Sequence, residues 1–106
     1  MADVDSEKQV NEIALRYANN IREHVQLRRL YVYGSYAKGT FTAESDIDIA
    51  VVADGFSGDI IEDRWMLMKL RRTVDNRIEP HPFSTKDFNE SDPMAKEVME
   101  TGIRII

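Results

Sequence analysis

The sequence predicts an α/β (α+β) fold: a small mixed β-sheet with helices packed on one face. Three observations lead there. Val10, Ile13, Ala14, Tyr17, Ala18 and Ile21 recur at helical spacing and make one apolar stripe near the amino terminus. Two apolar runs, Leu30–Tyr33 and the stretch from Asp46 to Ala53, are short enough and β-branched enough to be buried strands. A second helical stretch then leads into an extended segment, Arg77–Phe83, and a strand–helix–strand succession normally sets its two strands parallel.

The first helix is expected over 6–25, with Ser6 as N-cap and Gln9 completing a capping box. Arg22, Glu23, Arg28 and Arg29 form its solvated side and exit, and His24 reads as a surface residue. The loop Asp54–Asp59 leads to a helix over Ile60–Val74, where Ile61, Trp65, Met68 and Arg72 mark one face. Trp65 and the methionines read as core fillers. Arg64, Lys69, Arg71 and Arg72 make this the most basic segment, either a solvated face or part of a partner contact.

Pro80 and Pro82 lack ladder donors, which pushes the third strand to a sheet edge. Asp92-Pro93 supplies an N-cap and a first-position proline for a last helix, whose stripe Met94, Ala95, Val98 and Met99 Gly102 closes. The apolar tail, Ile103 to Ile106, must dock either on the chain's own sheet or on a second subunit.

At 106 residues, 42% hydrophobic and 31% charged, the chain reads as one domain, 1–106. The net charge of −5 argues against direct nucleic-acid binding, which needs a basic face, and suits a basic protein partner. No apolar run approaches the roughly 20 residues needed to span a membrane. With no cysteine and an acidic amino terminus, the cytoplasm is the expected compartment.

The chemistry is concentrated in one stretch. Leu30–Tyr33 ends at Gly34, where Gly34-Ser35 turns the chain into a short segment bounded by Gly39. The next apolar run opens with Asp46 and Asp48, two apart and therefore on one strand face, while Ile47, Ile49 and Val51 take the other. Two adjacent carboxylates on so apolar a strand call for a counter-charge, and a divalent cation is the most economical one. Gly34 lets a phosphate approach the backbone, Ser35 adds a hydroxyl, and free N–H groups at the following turn favour an anion. Metal-assisted work on a nucleoside triphosphate is the local chemistry; an acidic turn with glycine serving only the bend is the plainer alternative.

Gly34-Ser35, ten residues, then Asp46-Ile47-Asp48 resembles the signature of the polymerase-beta-type nucleotidyltransferases. Gly34-Ser35-Tyr36-Ala37-Lys38-Gly39 followed by Ser45-Asp46-Ile47-Asp48-Ile49 is closer still to the minimal nucleotidyltransferases, the small antitoxin partners of HEPN-domain toxins. The tail from Ala95 to Ile103 also looks like the end of that family. The resemblance implies a polymerase-beta-like core, ATP as donor and two Mg2+ ions. It implies that Gly34 and Ser35 hold the triphosphate and that a third carboxylate joins Asp46 and Asp48 from the next strand.

Glu79 is the candidate for that third carboxylate, where many relatives carry aspartate; an exposed edge glutamate is the plainer reading. Lys38 either meets a phosphate or is solvated, and His81 either lines the acceptor side or has a structural role. The expected function is an adenylyltransferase antitoxin that transfers AMP to a tyrosine of a partner HEPN toxin. A non-catalytic antitoxin acting by binding, and a small-molecule nucleotidyltransferase, are the alternatives. A homo-oligomer is compatible with the sequence.

Overall fold

In chain order the computed structural model, which describes residues 7–106, contains α1 (Glu7–Ile21), β1 (Gln26–Tyr33), α2 (Ser35–Lys38) and β2 (Ile47–Asp54). α3 (Ile60–Leu70) follows, tightening into a 3-10 turn over Arg71–Thr73, then β3 (Ile78–Ser84), α4 (Pro93–Thr101) and β4 (Ile103–Arg104). The strands form one sheet in the order β3-β2-β1-β4. β1 is antiparallel to β2 and β4, while β2 and β3 are parallel, so the sheet is mixed as expected. The capping box at Ser6 lies outside the described residues.

Strand alternation divides the sheet into two faces. Leu30, Val32, Ile47, Ile49, Val51, Ala53 and Ile78 pack with Val10, Ala14, Tyr17, Ala18, Ile21 and Leu67, which places α1 and α3 together on one face. The buried Tyr17 hydroxyl donates to the Leu67 carbonyl at 2.7 Å and ties the two helices. Asn20 adds a bond of 3.2 Å to the Leu70 carbonyl, where α3 has run out of its own donors. On the other face Tyr31, Ala50, Val52 and Phe83 pack with Phe88 and with Ala95 and Val98 of α4. α4 covers only part of this face.

β1 begins at Gln26, earlier than the apolar run Leu30–Tyr33 suggests. Arg28 and Arg29 are strand residues rather than a helix exit: a register shift between Leu27 and Arg29 accommodates them, and Arg28 pairs with Asp54 of β2 at 2.7 Å. β3 is the edge strand that its prolines demand. Pro80 and Pro82 alternate along it, so both missing donors point away from β2. The tail docks on its own sheet, as β4 beside β1 and through a bond from Ile105 N–H to the Leu30 carbonyl at 2.8 Å.

α3 is turned differently from the sequence reading. Ile61 is 77% exposed and Trp65 61%, so Trp65 is no core filler. Asp63 and Leu67 are buried instead, with Met66, Leu70 and Val74 partly buried against the core. Apolar residues occur all round this helix, so their spacing does not select an inward side. The loop selects it: Ser57 N–H and hydroxyl donate to Asp63 Oδ1 at 2.9 and 2.8 Å, Gly58 N–H donates to Oδ2 at 3.3 Å, and Asp59 caps the first turn. Among the described residues no helix is long and apolar enough to cross a membrane.

Candidate active site

Strand register assembles the site. Tyr33 of β1 pairs with Asp48 of β2, and Asp48 pairs with Glu79 of β3, so the three form a row across neighbouring strands about 4.8 Å apart. The row lies at the end of the face that α4 leaves open. Asp46 is exposed in the segment leading into β2 rather than within the strand, and its charge reaches Asp48. Burial pushes the Asp48 carboxyl above its usual range, and the negative charges of Asp46 and Glu79 raise it further. The Tyr33 phenol is pushed up to about 12 by burial and by the adjacent Asp48, with Arg64 opposing.

Gly34 lies against Asp48. Its φ of 74° and ψ of −144° are open to glycine and costly for other residues, and a Cβ there would overlap the Asp48 carboxylate oxygen Oδ2. The sharp turn at Gly34 starts α2 at Ser35, and Gly39 closes that helix in the left-handed conformation. Tyr36, stacked on Phe41 at 4.4 Å between ring centroids, buries the underside of this turn. Gly34 and Asp48 thus come together, with Ser35 opening the helix beside them. Lys38 is exposed, and its ammonium reaches Glu97 of α4 at 3.3 Å.

Glu79 points into a basic setting. Arg64 Nη2 donates to its Oε1 at 3.1 Å, and Arg71 Nη1 lies 3.5 Å from its Oε2. Arg71 also donates to the Ile78 carbonyl at 2.7 Å, which joins the end of α3 to β3. With both Glu79 oxygens engaged, no three acidic or histidine side chains among the described residues converge on one metal position. The donor set nonetheless fits a divalent cation: these are hard oxygen ligands, and Asp48 bears an ionisation penalty that a cation would relieve.

His81 shares the face of Glu79 but packs its ring on Phe83 at 4.7 Å. Burial, then the charge of Arg64, lowers its pKa, with Asp92 opposing. Tyr33, Arg64 and Arg71 join the site with no motif in the sequence to mark them. Arg64 and Arg71 belong to the most basic segment of the chain and are seven apart, two helical turns, but neither signal points to Glu79.

A sheet that sets a glycine-serine turn against aspartates at the head of a strand defines a nucleotidyltransferase core. The chain matches the family described as "Polymerase beta, Nucleotidyltransferase" over residues 16–106, and it belongs to that family. It is 29% identical over 101 residues to "Putative protein adenylyltransferase MJ0604" of Methanocaldococcus jannaschii, covering 93% of this chain and 96% of the relative. Among solved structures it is similar to a toxin–antitoxin crystallised with AMP-PNP, at 26% identity and a TM-score of 0.66, covering 88% of this chain and 72% of the other. The MntA-HepT toxin–antitoxin shares the fold at 23% identity and a TM-score of 0.56, over 95% and 72% of the two chains.

Proposed function

We propose that this nucleotidyltransferase is an antitoxin that transfers AMP from ATP to a tyrosine hydroxyl of a partner HEPN-domain toxin. The observation that carries the reading is the position of Asp48, pressed against Gly34 on one side and in register with Glu79 on the other. The AMP-PNP of the toxin–antitoxin neighbour supports a triphosphate donor, its toxin supports the partner, and the name of the archaeal relative supports a protein acceptor.

Asp46, Asp48 and Glu79 are the residues to hold two Mg2+ ions, with Gly34, Ser35 and Lys38 on the triphosphate side. Bound magnesium supplies charge neutralisation for the triphosphate and polarises the acceptor oxygen. The phenol oxygen forms the new bond to the α-phosphorus, the bond to the bridging oxygen of pyrophosphate breaks, and the phenol proton leaves to solvent. Gly34 lacks the Cβ that would collide with Asp48, which lets the turn and the carboxylate share one site, and Lys38 meets the triphosphate by releasing the exposed contact to Glu97. The acceptor half of the site is the partner's surface, which fits the open end of the sheet.

The test is co-expression with the toxin of the neighbouring gene. Mass spectrometry should show the partner gaining one or more AMP units, and Asp46→Asn should abolish the gain. A second reading, an antitoxin that acts by binding alone, draws on the engagement of Glu79 by two arginines. It is the correct one if the Asp46→Asn protein still silences an unmodified partner.

A further inference from the structure

The two arginines on Glu79 are not equivalent. Arg71 is only 20% exposed and is anchored by its 2.7 Å bond to the Ile78 carbonyl, so it stays in place whatever Glu79 does. Its 3.5 Å approach to Oε2 is long for a hydrogen bond. Arg64 is 51% exposed, and among the described residues Glu79 is its one hydrogen-bond partner, at 3.1 Å. Its side chain leaves from the outward side of α3, next to Ile61 and Trp65, where it can swing into solvent.

We propose that Arg64 gates the third carboxylate: Glu79 is held either by Arg64 or by a divalent cation beside Asp48, not by both. Held at 3.1 Å from Arg64, the Glu79 carboxylate does not converge with Asp46 and Asp48 on one metal position among the described residues, so it must turn toward Asp48 to share a cation. A cation must sit about 2.1 Å from its oxygen ligands, on the Asp48 side. Binding the cation therefore requires the Arg64 contact to open, and the metal affinity of the isolated chain is lowered by what that contact is worth. Arg71 remains and limits how far Glu79 swings. Arg64 is thus a positioning residue, acting through Glu79. The inference rests on the reading of Asp46, Asp48 and Glu79 as metal ligands.

The experiment measures Mn2+ affinity of the full chain without nucleotide, by the paramagnetic resonance of the free ion. Asp48→Asn should weaken binding at least tenfold. Arg64→Gln should tighten it about two- to five-fold, the scale of a half-exposed ion pair. Removing a positive charge could tighten binding by relieving repulsion alone, so the cycle is completed with Glu79→Gln. A gate predicts that Arg64→Gln changes nothing once Glu79 is replaced. The same gain in the Glu79→Gln background, or no gain in the wild-type background, overturns the gate while leaving the metal reading intact. Unchanged binding by Asp48→Asn overturns the metal reading and the gate with it.

Discussion

Gly34 and Asp48 are packed so closely that no side chain fits between them: a Cβ on Gly34 would overlap Asp48 Oδ2. The turn proposed to face the triphosphate and the carboxylate proposed as a metal ligand therefore share one surface. Gly34→Ala must strain its backbone at a φ of 74° and push the carboxylate aside. The expected cost is about 1–3 kcal/mol of stability, from the backbone term alone. Transfer to the partner should be lost even at temperatures where the variant is folded, which a melting curve alongside the AMP-transfer assay will show.

Asp48→Asn should raise stability. The folded pKa of Asp48 lies above its unfolded value, so at neutral pH the ionised group opposes folding. The penalty is fully present above the folded pKa and disappears as pH falls below the unfolded one. The gain in melting temperature should accordingly be larger at pH 7 than at pH 3.5, in chelator-treated protein. An equal gain at both pH values would rule out this electrostatic origin.

Trp65→Ala and Leu67→Ala should differ sharply although they are two residues apart. Trp65 is 61% exposed, and its replacement should change stability by no more than about 0.5 kcal/mol. Leu67 is fully buried between α1 and the sheet, and its replacement should cost about 2–5 kcal/mol. Urea denaturation of the two variants decides it.

Tyr17→Phe removes the donor to the Leu67 carbonyl and leaves that oxygen buried without its partner. The expected loss is about 1–3 kcal/mol, read from the shift in the denaturation midpoint at unchanged m-value.

Much of the site is legible in the order of residues along the chain. The alternation of Asp48 with Ile47, Ile49 and Val51 assigns carboxylate and aliphatics to opposite faces, because a strand has a period of two, whereas Asp46 lies just ahead of the strand and outside that pattern. The prolines of β3 put it at an edge, and Asp92-Pro93 starts α4 where Asp92 accepts from Met94 and Ala95 N–H. These features depend on local geometry, which neighbouring residues settle among themselves.

Residue order therefore suffices for bringing the Gly34 turn against Asp48, the proposed nucleotide site, and for the succession and kind of the main strands and helices. The remaining features arise only when distant segments meet. Which side of α3 faces inward depends on Asp63 receiving loop donors and on the Leu67 carbonyl receiving the Tyr17 hydroxyl, contacts with no periodic trace in a helix whose apolar residues fall on every side. The start of β1 among arginines depends on its partner Asp54. The setting of Glu79 depends on Arg64 and Arg71, 15 and 8 residues away, meeting it across the α3–β3 contact. A charge's partner is chosen by three-dimensional proximity, and the one-dimensional pattern carries no record of it.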